Sequence, residues 1–175
     1  MTMIYIDIDD VLAEWRGQAE RLLGHEISKD PAHHLPSKEW QRIKNEVRFY
    51  RTLPLMPNAR DLIAWLQRYE RRHANVQLGF LTALPHDNDM PWAYYDKVMW
   101  CQDYFPSIPV FFGPQAADKY KHCTFGDILI DDRESNILDW ERAGGIGHLY
   151  TTWENCEKWL EETLNVSYRA VEAWE

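Results

Sequence analysis

Three carboxylates, Asp7, Asp9 and Asp10, follow directly on the short apolar run 3–6 and precede Val11-Leu12-Ala13. The run has the length of a buried strand, so the acids stand where that strand must end. Carboxylates crowded at one tip repel one another and resist ionising together; a hard divalent cation or a raised pKa makes such a tip tolerable. Asp9 or Asp10 would serve as an N-cap for the segment 11–23, but a cap uses one acid and this tip has three. In a parallel α/β sheet the carboxyl ends of the strands line the ligand crevice, which places Asp7 and Asp9 where chemistry happens.

Further polar groups close other apolar runs: Thr82 after 76–81, Asp131-Asp132 after 127–130, and a lysine in the stretch 119–121. Each has a plain structural use, as a turn residue, a helix cap or a solvated helix charge. Together they supply a carboxylate nucleophile, a second carboxylate to give and take a proton, a hydroxyl and an ammonium to neutralise phosphate oxygens, and acids to hold a cation. Phosphoryl transfer to an aspartate requires that set.

The elements that must position these groups alternate. Helical periodicity marks 12–23, stopped by Gly24, then 37–47 with Ser37 as N-cap, 59–72, 91–104, 135–143 and 153–164. Between them lie short apolar runs at 3–6, 76–81, 108–112, 127–130 and 146–150, which are expected strands. The stretch 25–36, with two prolines and the His33-His34 pair, is expected as a loop, and no third ligand at usable spacing accompanies the histidines. Residues 49–57 are expected as an extended connection. Strands alternating with helices imply an α/β fold with a parallel sheet covered on both faces.

At 175 residues the chain fits one domain with a small inserted subdomain. A formal net charge of −9 argues against a surface built for polyanions, which need clustered Lys and Arg, so stable nucleic-acid binding is not expected. Cys101, Cys123 and Cys156 show neither disulfide-framework nor zinc spacing and are expected as reduced thiols. No apolar run approaches membrane-spanning length and no basic leader is present, so a soluble, cytoplasmic protein is expected.

Asp7-Ile8-Asp9-Asp10-Val11, Gly79-Phe80-Leu81-Thr82, Lys121 and Ile128-Leu129-Ile130-Asp131-Asp132, in that order, resemble the motifs of the haloacid dehalogenase-like phosphatases. Within that superfamily the chain is most similar to the 5'(3')-deoxyribonucleotidases of phage and bacterial type. The resemblance implies a Rossmann-like parallel core, 1–14 and 73–175, with a helical cap, 15–72, inserted after the first strand. It implies Asp7 as nucleophile and Asp9 as acid and base. Magnesium would be held by Asp7, the Asp9 backbone carbonyl and Asp131, with Asp132 in support. Thr82 and Lys121 would bind the phosphate of a small nucleotide substrate, with Lys119 the alternative two residues away. Arg133 would reach the phosphate or make a surface pair. Trp15 would lie near the base or pack as a core aromatic, and Phe49 and Tyr50 are further candidates for stacking. Asp10 stands where the nucleotidases often carry Gly.

Two other readings fit parts of this pattern. A phosphoacceptor receiver domain carries its acid pair on the first strand and its acceptor on a middle strand, whereas here the middle strand ends in Thr82 without an acid. Phosphatases for sugar phosphates or for polynucleotide 3' ends share the scaffold, and the acidic balance weighs against the latter.

Overall fold

In a computed structural model, residues 1–28, 30, 34–85 and 90–172 are described; His33 of the histidine pair lies outside them. The chain runs β1 (Thr2–Ile6), α1 (Trp15–Leu23), α2 (Ser37–Asn45), α3 (Ala59–Arg72), β2 (Val76–Ala83), α4 (Ala93–Tyr104), β3 (Val110–Gly113), β4 (Ile128–Asp131), α5 (Glu134–Arg142), β5 (Ile146–Leu149) and α6 (Trp153–Glu172). Two 3-10 turns, Phe49–Thr52 and Ala116–His122, add to the expected elements.

The five strands form one parallel sheet in the order β3-β2-β1-β4-β5. From β1 the chain steps outward to β2 and β3, then returns to pair β4 against the other edge of β1. Right-handed crossovers therefore send α3 and α4 to one face and α5 to the opposite one. Side chains follow that division. Ile4 and Ile6 of β1 pack with Leu62, Ile63 and Leu66 of α3, Trp100 of α4 and Leu160 of α6. Tyr5, on the alternate face, packs with Leu81, Leu129, Ile137 and Trp140. The order reverses between β1 and β4, and the crevice at such a switch point is where open α/β sheets bind ligands.

The segment after β1 leaves and returns along a short paired stretch: Glu14 N–H donates to the Pro54 carbonyl and Met56 N–H to the Leu12 carbonyl, each at 2.8 Å. Beyond the return, α3 lies on the sheet, and Glu70 accepts the Leu78 N–H at 3.0 Å. The residues 49–52, expected as extended, form a 3-10 turn because Phe49 and Tyr50 are both buried against the core. No described helix is long and apolar enough to cross a membrane.

Candidate active site

The tips of β1 and β4 are held together beyond their last ladder rungs: Asp7 N–H donates to the Ile130 carbonyl at 2.9 Å. This sets Asp7 beside Asp131, both buried. Between them sits the ammonium of Lys119, 2.7 Å from Asp7 Oδ1 and 2.7 Å from Asp131 Oδ2. Lys119 is 2% exposed, whereas Lys121 is exposed and paired with Asp118. Of the two lysines named in the sequence, the structure brings Lys119 to the acids and leaves Lys121 outside the crevice. In a 3-10 turn residues two apart point about 240° away from each other, so only one of the two can face inward. Gly113, at the end of β3, permits the close approach, since a Cβ there would lie 3.1 Å from the Lys119 backbone nitrogen.

Asp131 is held on both oxygens. Its Oδ1 accepts from Arg133 N–H and from Asn136 Nδ2, both at 2.9 Å; its Oδ2 accepts from Asn136 at 3.0 Å and from Lys119. Asp7 is anchored through Oδ1 alone, by Ile8 N–H at 2.7 Å and by Lys119. Among the described residues its Oδ2 accepts no hydrogen bond.

A second buried ammonium, Lys97 of α4, serves the opposite wall. It lies 2.6 Å from Asp9 Oδ2 and 2.9 Å from Thr82 Oγ1, with the Tyr50 ring centroid at 4.7 Å. Thr82, fully buried, accepts from Lys97 and so keeps its own hydroxyl proton for an anionic oxygen. Asp9 Oδ1 is buried without a partner.

Asp10 adopts φ +59°, the left-handed conformation that Gly takes readily and that Asp tolerates through local hydrogen bonding. Its carboxylate accepts Arg16 N–H at 2.8 Å, in the first turn of α1, where Glu14 supplies no side-chain cap. Asp10 is therefore the cap of α1 as well as a member of the acidic tip.

Burial, above all, disfavours the ionised acids at the tip. Burial, with Asp131 and Asp9 nearby, pushes Asp7 up to about 6 against the pull of Lys119. Burial, then Asp7, Asp131 and Asp10, pushes Asp132 up to about 8, and burial raises Asp10 to about 6. For Lys119 burial disfavours the charge, yet Asp131 and Asp7 outweigh it and hold the ammonium above its ordinary value. Burial likewise opposes the Arg133 charge, and the field of Asp132, Asp7 and Asp131 prevails. Asp7, Asp131 and Asp132 each offer a carboxylate oxygen within 4.8 Å of the others, a hard-oxygen donor set suited to a divalent cation.

Of the residues singled out in the sequence, Asp7, Asp9, Thr82, Asp131, Asp132 and Arg133 gather at this crevice. Trp15 is half-buried, its ring 6.2 Å from Phe49 and 5.9 Å from Trp40. Phe49 and Tyr50 are 1% and 3% exposed, so neither offers an open stacking face. Sequence reasoning missed Asn136 and Lys97. Lys97 did leave a signal: it shares a helix face with Ala93, Trp100 and Cys101, all buried, and a lysine on an apolar face needs a partner.

Two proteins from strains of Staphylococcus epidermidis, each named "Putative 5'(3')-deoxyribonucleotidase", are 26% identical to the chain over 150 residues, covering 77% of it and 75% of each relative. A hydrolase from Streptococcus pneumoniae shares the fold, with a TM-score of 0.51, 15% identity, and coverage of 91% of this chain and 97% of that one. The chain resembles a haloacid dehalogenase-like phosphatase. No protein-family profile matches it. The five-stranded parallel sheet is the α/β fold expected from the sequence, and Asp7, Asp131 and Asp132 lie together at its switch point.

Proposed function

We propose that this protein is a magnesium-dependent phosphomonoesterase that dephosphorylates deoxyribonucleoside monophosphates through an aspartyl-phosphate. One observation carries the reading: Asp7 and Asp9 are each held on one oxygen by a separate buried ammonium, and the other oxygen of each has no partner among the described residues. A nucleophile and a proton donor need that freedom at one atom and that fixity at the other.

Asp7 attacks phosphorus through its unpartnered Oδ2 while the bond from phosphorus to the nucleoside oxygen breaks. Asp9 gives its proton to that oxygen. Asp9 then takes a proton from water as the water oxygen attacks the phosphorus, which frees Asp7 and releases inorganic phosphate. Lys119 and Thr82 face the oxygens on which charge develops. Asp7, Asp131 and the Asp9 backbone carbonyl, supported by Asp132, would hold the magnesium, which neutralises phosphate charge when bound. The Asp7, Asp131 and Asp132 donor set fits that ion in being all oxygen and short of positive charge.

The cap expected over 15–72 is narrowed in this proposal to the segment between the paired stretches near residues 14 and 54, because α3 lies on the sheet; its Phe49 and Tyr50 form inner packing rather than an open face. Covering the crevice would exclude water during transfer to Asp7. The deoxyribonucleotide class is supported by the names of the Staphylococcus relatives. A location in the cytoplasm accords with the three unpaired cysteines.

The test is phosphate release from deoxyribonucleoside and ribonucleoside 5'- and 3'-monophosphates, sugar phosphates and a 3'-phosphorylated oligonucleotide, with magnesium and with EDTA. Magnesium-dependent release confined to mononucleotides is the expected result. Release from sugar phosphates or the oligonucleotide alone would overturn the substrate class and leave the chemistry standing.

A further inference from the structure

We propose that Lys97 is the positioning residue for proton transfer by Asp9, a role that rests on the phosphatase reading above. Lys97 is 2% exposed although it carries a full ammonium, and a buried charge of this kind persists only where it is paired. Its partners are specific: Asp9 Oδ2 at 2.6 Å, Thr82 Oγ1 at 2.9 Å and the Tyr50 ring at 4.7 Å. These come from the β1 tip, the β2 tip and the inserted segment, so the ammonium ties three separately built parts to one point.

The tie fixes the Asp9 carboxylate in rotation. With Oδ2 clamped by Lys97, the Asp9 carboxylate, whose side chain is 29% exposed, keeps one orientation, its Oδ1 buried and without a partner. A proton donor must meet the leaving oxygen at hydrogen-bond distance, and a carboxyl free to turn spends little time there. The helix around Lys97 is itself pinned to the inserted segment. The adjacent Asp96, fully buried, binds Arg48 at 2.6 Å, and Trp100 donates its indole N–H to the Leu53 carbonyl at 2.8 Å. The proton passed to the leaving oxygen is that of Asp9, and it is regained from the attacking water.

This role differs from phosphate binding in a measurable way. An alkoxide leaving group needs its proton as the bond to phosphorus breaks, whereas a nitrophenolate departs without one. The experiment compares the single-turnover rate of leaving-group release, which precedes the water attack shared by both substrates, in the wild type and Lys97→Met on a deoxyribonucleoside monophosphate and on p-nitrophenyl phosphate, with magnesium present. Lys97→Met is expected to lower that rate on the nucleotide about 100-fold and on the aryl ester less than about 5-fold. Added to Asp9→Asn, it should cause no further loss on the nucleotide.

Equal losses on both substrates in a variant that still melts cooperatively would overturn the proposal, as would an unchanged nucleotide rate. If Lys97→Met does not melt cooperatively, Lys97→Gln takes its place in the same comparison. A wild-type chain inactive on both esters overturns the phosphatase reading and this role with it; an active wild type without the substrate contrast overturns this role alone.

Discussion

The floor of the crevice and its wall are built from the same chemistry, a buried lysine on a pair of acceptors, yet they differ in how they are held. On the floor, Lys119 bridges Asp7 and Asp131, and Asn136 and the Arg133 N–H also donate to Asp131. All of it stands on the tips of adjacent strands and the turns behind them. On the wall, Lys97 joins Asp9 and Thr82 but reaches them from a helix that is fastened to the inserted segment. The floor therefore has its geometry from the sheet, and the wall has its geometry from the fit of the insert against α4. On the proposed reading, the nucleophile Asp7 and the acids for the cation belong to the half built on the sheet, and the proton donor Asp9 to the half built against the insert.

The comparison breaks first at Asp7. Asp7→Asn should abolish phosphate release, a loss of at least about 10⁴-fold, while a cooperative melt persists. Near-normal release from that variant would remove the floor from the chemistry. Next in size is the contrast within the Ala116–His122 turn. Lys119→Met should reduce kcat about 100- to 1000-fold and cost about 3–5 kcal/mol of stability, because two buried carboxylates lose their counter-charge. Lys121→Ala, at an exposed position, should leave both rate and melting temperature near those of the wild type. Kinetics and thermal melts of the two variants side by side decide it.

A subtler stress on the floor is Gly113→Ala, whose Cβ would meet the Gln115 carbonyl at 3.0 Å and the Lys119 backbone nitrogen at 3.1 Å. Pushing that turn outward should cost about 1–3 kcal/mol and lower kcat about 10-fold. Protection of kcat alongside a lowered melting temperature would show that Lys119 adjusts more freely than its surroundings imply.

The acids themselves predict a pH dependence with a definite sign. Asp7 and Asp10 are raised to about 6 and Asp132 to about 8, above the 3.8 of an ordinary Asp. Between those values the folded protein binds more protons than the unfolded one, so its stability falls as pH rises. In EDTA the melting temperature should drop from pH 5 to pH 8. Magnesium, which favours the ionised carboxylates, should raise it by an increment that is small at pH 5 and grows toward pH 8. An increment independent of pH would separate the cation from these acids. The smallest effect is expected at Asp10→Ala, about 1 kcal/mol from the lost cap on α1.

The sheet was legible because each strand is a short apolar run closed by a polar signal, and the acids Asp7, Asp9, Asp131 and Asp132 were legible because they close two of those runs. Choosing between Lys119 and Lys121 required the phase of a 3-10 turn, which neither hydrophobic periodicity nor spacing to Asp131 reveals. Lys97 escaped notice because its role depends on contacts with residues 88 positions earlier in the chain at Asp9 and 15 earlier at Thr82. The aromatics Phe49 and Tyr50 were visible as candidates, but only packing decides whether a ring faces a ligand or a core, and here it faces the core. Asp10 was legible as a departure from glycine. Its left-handed backbone shows that the carboxylate keeps the turn and adds a cap.

The most direct test of the central claim is chemical trapping of the intermediate. The protein is mixed with magnesium and a deoxyribonucleoside monophosphate, quenched in acid during turnover and reduced with borohydride, and its peptides are weighed by mass spectrometry. Phosphoryl transfer to Asp7 predicts the mass change of a reduced aspartyl-phosphate at position 7 and at no other acid. Turnover with an unmodified Asp7, or with the label on another carboxylate, would contradict the account.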